Sequence, residues 1–306
     1  MGEFTFPALA AGPPSRRNWY KELLDDPQCA GNPARVQEAY ETHREAYGLN
    51  QCRAFLAAGM NPVTPDQALI KHLERERRRN ASKNGPVDLS NDLDGQDVNC
   101  LVIWARPPPQ IITLIQNLQQ RIASLVGPDI YLIPSKDLHL SVIELSHRHS
   151  APHLRAVENE VEVSRIQQIL NSVSNLPRKP RLISPQLSFD KMGIALNFIP
   201  TKEDPYTYHH LRSDMHALAL ESGVSIDMCY TAPSAHVTLG RFIGNAFFEG
   251  PEGRKEFATL VGEINEELRD SDVPEWVVGK NTGLELQLGY LKFGREREKA
   301  DMLGKC

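Results

Sequence analysis

The chain has no apolar run near the ~20 residues that a membrane-spanning helix needs, so no bilayer-crossing segment is expected. It has no Cys-x-x-Cys. Its five cysteines, Cys29, Cys52, Cys100, Cys229 and Cys306, are odd in number and widely scattered. That pattern argues against a disulfide scaffold and for free thiols in a reducing compartment, cytoplasmic or nuclear. No Gly-rich phosphate loop follows a strand pattern, so ATP-dependent ligase or kinase chemistry has no support. No Gly-x-Ser-x-Gly is present, and α/β-hydrolase chemistry has none either. The segment Met1-Gly2-Glu3-Phe4-Thr5-Phe6 has no signal-peptide character, and Phe6 breaks the myristoylation pattern that Gly2 begins. Positive charge is not in excess: 34 Lys and Arg face 39 Asp and Glu, a net charge of −5. Strong sequence-independent nucleic-acid binders are basic, so an extended double-stranded partner is not expected. A nucleotide or an RNA end in a local basic pocket is compatible.

What the chain does have is a pair of short strands with one design. They read Asp137-Leu138-His139-Leu140-Ser141-Val142-Ile143 and Ser234-Ala235-His236-Val237-Thr238-Leu239-Gly240-Arg241. Residues i and i+2 share a face of a strand. His139 and Ser141 therefore face one way and Leu138, Leu140 and Val142 the other. His236 and Thr238 share a face in the same manner, opposite Val237 and Leu239. Of the chain's 10 histidines only these two fit His-x-Ser/Thr, so the pairing carries more weight than either match alone. Two imidazoles and two hydroxyls on one cleft supply an acid, a base and two donors to phosphate oxygens. That set suits attack on a phosphodiester without a metal or a cofactor. Arg241 could add charge, but strict alternation turns its side chain away from His236. It would act from the strand end or serve only in a surface ion pair.

The remaining pattern indicates an α+β fold. Residues 1–17 are rich in Pro, Ala and Gly, and little order is expected there. Asn32-Pro33 offers an N-cap and a first-turn proline before Val36, Tyr40, His43 and Tyr47 at helical spacing. Thr64-Pro65-Asp66-Gln67 offers a capping box before Leu69, Ile70 and Leu73. Glu74–Arg79 reads as a solvated helix end, and residues 80–96 as a polar linker. Residues 1–96 thus form a helical region, expected to be dispensable for chemistry. Residues 97–306 form the expected catalytic domain, with halves at about 97–177 and 178–306. In the first half come a strand at Val98–Ala105, a helix carrying Ile111 to Leu125 and stopped by Gly127, strands at Ile130–Ile133 and Leu138–Leu145, and one helix with Val157 to Val173. In the second come a hairpin of Leu182–Phe189 and Met192–Ile199, a helix with Tyr208 to Leu218, the second motif, a helix with Phe257 to Leu268, and a strand at Leu284–Phe293. This order favours mainly antiparallel sheets flanked by helices.

Other signals read more plainly. His147-x-His149-x-x-x-His153 reads as a hydrated loop rather than a metal site. Arg178-Lys179-Pro180-Arg181 is a basic connector, either a solvated linker or a guide for a polyanion. Tyr131, Tyr230 and Phe242 lie near the motifs, where strand aromatics pack a core more readily than they stack on a base.

The two motifs, with the arginine after the second, resemble the two-histidine (2H) phosphoesterase superfamily, the LigT-like and cyclic-phosphodiesterase-like proteins. The resemblance covers about residues 97 to 295, and Ser141 stands where threonine is commoner. It implies a two-lobed fold and a phosphoric diester hydrolase acting on a 2′,3′-cyclic phosphate, or a related cyclic nucleotide or ADP-ribose cyclic phosphate. It also implies His139 as proton donor and His236 as acceptor, with Ser141, Thr238 and Arg241 on the substrate. The alternatives are an RNA 3′-end exonuclease of the same superfamily, or a non-catalytic nucleotide- or RNA-binding module.

Overall fold

The computed structural model describes residues 14–57, 59, 62–81, 99–228, 233–289 and 300–306. Tyr230, the expected linker from residue 82 on, and the end of the last expected strand lie outside these. Three helices come first: α1 (Trp19–Asp25), α2 (Pro33–Ala57) and α3 (Gln67–Ala81). The Asn18 side chain caps α1 and the Asn32 side chain accepts from Ala34 N–H at the start of α2. The cap of α3 is Asp66 rather than Thr64: its carboxylate accepts from Leu69 N–H at 3.2 Å. Some of the expected disorder is also absent. Ser15 bridges to Ile226 and Arg16 donates to the Gly223 carbonyl.

The strands and helices that follow are β1 (Asn99–Ala105), α4 (Pro109–Val126), β2 (Ile130–Leu132), β3 (Leu140–His149), α5 (Ala151–Val161), α6 (Val163–Leu170), β4 (Arg181–Phe189) and β5 (Gly193–Pro200). Then come α7 (Tyr208–Leu220), β6 (Ala235–Phe242), α8 (Pro251–Asp270), β7 (Trp276–Val277), β8 (Glu285–Gly289) and β9 (Met302–Leu303). In α4, Ile111, Ile115, Leu118 and Ile122 form a buried stripe, and Gly127 at φ +66° stops it. The single helix expected across 157–173 is two, because Glu162 at φ 69° breaks it between α5 and α6.

All strand pairs are antiparallel, in the order β7-β4-β5-β6-β3-β1-β8-β9, with β2 also on β6. The molecule is therefore α+β. Its halves interleave instead of dividing at residue 177: β8 returns to β1, and β2 crosses to β6. The seam between β3 and β6 is one residue pair, Leu140 opposite Val237. On the apolar side Leu138, Leu140, Val142, Val237 and Leu239 are all buried, as alternation requires.

The N-terminal helices are built into this core. Tyr20, Leu23, Val36, Tyr40, Phe55 and Leu69 belong to the same buried cluster as the strand residues. At the junction lies Arg212 of α7, only 3 % exposed. Its Nε–H donates to the Val142 carbonyl (2.8 Å), and Nη1 donates to the Ser234 carbonyl (3.0 Å) and the Tyr40 hydroxyl (3.4 Å). Nη2 donates to the Tyr20 hydroxyl at 2.8 Å. One guanidinium thus ties both motif strands to α1 and α2. The His209 ring completes the network: Nε2–H donates to the Tyr20 carbonyl, so Nδ1 accepts from the Tyr40 hydroxyl.

Arg212→Lys keeps the charge but cannot reach four acceptors. It should cost about 2–4 kcal/mol in urea unfolding. A fragment 97–306 loses Tyr20 and Tyr40 and uncovers their apolar partners, contrary to the dispensability expected above. It should be insoluble or fail to unfold cooperatively, and a stable, cooperative fragment would contradict the shared core.

Candidate active site

A cleft of about 500 Å³ is lined by His139, Ser141, His236, Thr238 and Arg241 together. The Leu140–Val237 pair explains how they meet. Antiparallel register around it sets His139 opposite Thr238 and Ser141 opposite His236. The two histidines are diagonal neighbours, a separation of about 7–8 Å between backbones and less between side chains.

Arg241 enters the cleft through a bulge. Ile194 pairs with Gly240 but Ala195 pairs with Thr238, so Leu239 is an extra residue on β6. The extra residue reverses the alternation and brings Arg241 to the face of His236 and Thr238. Gly193 and Gly240 permit the close approach there: a Cβ on Gly193 would strike the Gly240 carbonyl oxygen, and one on Gly240 would lie 2.9 Å from Ile130 Cδ1. Gln119 of α4 supports the bulge, its amide donating to the Ile133 and Leu239 carbonyls at 2.8 Å each. Arg241 also lies 4.0 Å from the Asp66 carboxylate.

β3 is bulged too, and more strongly. Along β1, Trp104, Val102 and Cys100 step by two, while their partners Ser141, Glu144 and His147 step by three. Those three β3 residues line the cleft, and the pairs between them are buried. The expected hydrated loop is instead the end of β3 and the start of α5: His147 faces the cleft, while His149 Nε2 meets Asp227 at 2.5 Å and its ring lies 4.2 Å from that of His153 on α5.

The histidines are held in place differently. His139 Nδ1–H donates to the Asp137 carbonyl at 2.7 Å, which leaves Nε2 as the nitrogen for the cleft. Its ring stacks flat on buried Trp104, with centroids 3.5 Å apart and planes 5° apart. Arg106 fixes the preceding turn by donating to the Lys136 and Leu138 carbonyls, and pairs with Glu285 at 2.8 Å. His236 Nδ1 contacts the Ser234 hydroxyl at 2.9 Å. Across β5, Asn197 and Ala195 face His236 and Thr238.

Burial sets the electrostatics of both rings. Burial, then the charges of Arg106, His236 and Arg241, take His139 down to about 3 against the pull of the Asp137 carbonyl. Burial, then Arg212 and Arg241, take His236 down to about 4, with Asp190 opposing. Both rings are neutral at neutral pH.

Several cleft residues escaped the sequence reading: Trp104, Glu144, His147 and Cys100, and Tyr40, His43, Arg44 and Tyr47 of α2. The aromatic candidates fall elsewhere. Phe242 is fully buried against Phe248 and Phe257, and Tyr131 is half-buried against the core. The basic connector is occupied with its own neighbours, Arg178 and Arg181 on Asp204, Arg181 also on Glu275, and Lys179 on the Gly279 carbonyl. No family model matches the chain, and no curated protein matches it. No helix among the described residues is long and apolar enough to cross a membrane.

In NMR titrations of the free protein, the His139 and His236 rings should stay neutral to about pH 5, well below the ordinary value of about 6.5. Adding a 2′- or 3′-nucleotide should raise at least one of them, because a phosphate anion favours the imidazolium. Ordinary values for both in the free protein would contradict the buried site. Stability has the same sign. Folded-state pKa values of about 3 for His139 and His209 and about 4 for His216 and His236 lie below the unfolded value. Their contribution is complete above about pH 6.5 and declines as pH falls, by up to about 1.4 kcal/mol per unit for each ring. Denaturant midpoints should drop steeply between about pH 6 and pH 4.

Proposed function

We propose that this chain is a two-lobed 2H phosphoesterase that hydrolyses a 2′,3′-cyclic phosphate on a nucleotide or RNA end by acid–base catalysis from His139 and His236. The observation that carries the reading is the meeting of both histidines and both hydroxyls in one cleft at the Leu140–Val237 pair. A pure binding site needs no imidazole on each side of one anion. Hydrolysis needs a proton removed from water and a proton delivered to the departing ribose oxygen, on opposite sides of phosphorus.

In this reading His236 accepts the proton of the attacking water, and His139 Nε2 delivers one to the leaving oxygen. These are the roles that the resemblance implies. The Asp137 carbonyl holds the His139 ring in one orientation and stabilises its protonated form. Ser141 and Thr238 donate to the non-bridging oxygens, where negative charge grows in the transition state, and Arg241 adds a positive charge beside them. The phosphate anion itself supplies the charge that lets one of the two depressed histidines bind a proton. The acid–base chemistry calls on no metal.

The test is hydrolysis of 2′,3′-cyclic nucleotides by the full chain with EDTA present. Turnover should persist, and His139→Ala and His236→Ala should each lose about 10²–10⁴-fold with the fold intact. Ser141→Ala and Thr238→Ala should lose less than the histidine variants. A nitrophenolate leaving group, which needs no proton, should rescue the variant that lacks the acid and not the other. Nucleotide binding without turnover, unchanged in both histidine variants, would replace the enzyme with a binding module.

A further inference from the structure

We propose that Cys100, Glu144 and His147 form a zinc-binding site in the wall of this cleft. The three side chains come from paired strands, with Cys100 opposite His147 and Val102 opposite Glu144. One ligand atom from each lies within 4.8 Å of the others. Cys100 Sγ is 3.4 Å from His147 Nδ1, and Glu144 Oε1 is 2.7 Å from that same nitrogen.

Convergence on one nitrogen decides between two chemistries. In a nucleophilic Cys–His–acid triad the thiol and the carboxylate occupy opposite nitrogens of the ring, so that the acid orients the base. Here both meet at Nδ1, which gives no relay but does gather S, N and O donors around one point. In tetrahedral zinc, bonds of ~2.3 Å to sulfur and ~2.0 Å to nitrogen set S and N about 3.5 Å apart, close to the separation already present. The carboxylate has only to withdraw by roughly 0.6 Å to reach its own coordination distance.

Thiolate, imidazole and carboxylate together select Zn²⁺ over Mg²⁺ or Ca²⁺. On binding, the Cys100 thiol proton passes to solvent and the metal–sulfur bond takes its place. The position of His147 is held from behind: its backbone N–H donates to Asp227, whose other oxygen meets His149. All three ligands line the cleft, so the fourth coordination position opens into it. The paired bulges of β3 make the arrangement possible, since strict alternation would put Glu144 on the face opposite Ser141. The site stands apart from the two-histidine chemistry and is read out without it.

The experiment uses the full chain, reduced and stripped of metal with a chelator, then titrated with Zn²⁺ against a chromophoric competitor. The wild type should take up one equivalent. Co²⁺ in place of Zn²⁺ should show the near-ultraviolet charge-transfer band of a thiolate ligand. Cys100→Ser should abolish that band. His147→Ala and Glu144→Gln should weaken Zn²⁺ by at least about tenfold, the loss typical even of outer-shell partners. Cys306→Ser, at an exposed thiol, should bind as the wild type does. Glu144→Gln preserves shape and covers the case in which a Cys100 variant fails to fold. No uptake by the wild type, or unchanged uptake by Cys100→Ser and Glu144→Gln, would overturn the site.

Discussion

The arrangement of the cleft depends on one buried cation. Arg212 lies beneath the seam where β3 and β6 share a single residue pair, and it hydrogen-bonds backbone next to each motif, Val142 on one side and Ser234 on the other. So thin a seam would not by itself hold two histidines at fixed separation. The guanidinium adds a second tie that does not depend on the ladder. Its remaining donors go to Tyr20 and Tyr40, and its Cζ lies 4.1 Å from the centre of the Tyr20 ring. Hydroxyls, carbonyls and an aromatic face solvate the charge in place of water. The requirement for Tyr20 and Tyr40 explains why α1 and α2 belong to the same core as the sheet.

The same cation shapes the chemistry. Arg212, Arg106 and Arg241 surround rings that burial has already discharged. The cleft therefore holds neutral imidazoles beside the positive charge of Arg241. In the proposed reaction a phosphate beside Arg241 would raise the proton affinity of the neighbouring histidine. Under the proposed function, protonation and substrate binding would be linked, the acid gaining its proton only with the anion in place.

The motif residues were legible in the sequence because they obey alternation. His139, Ser141, His236 and Thr238 share faces at spacing two, and the structure puts all four on one cleft. What alternation hid is what the bulges moved. Arg241 is five residues from His236 and Glu144 three from Ser141, both odd separations, so each changes face only when a partner strand is known. Helical spacing hid the rest: Tyr40, His43 and Tyr47 read as an ordinary apolar stripe, yet they line the cleft. The α+β class and most elements followed from local pattern. The return of β8 to β1 and the crossing of β2 to β6 did not, because pairing at that range leaves no local trace.

The central claim is that His139 and His236 act as one unit on one phosphate. Single-turnover hydrolysis of a 2′,3′-cyclic nucleotide by His139→Ala, His236→Ala and the double variant tests it most directly. Groups that work on the same transition state are not additive, so the double variant should be little slower than the slower single one. If the two losses multiply in full, the histidines contribute independently, and the shared acid–base site is wrong.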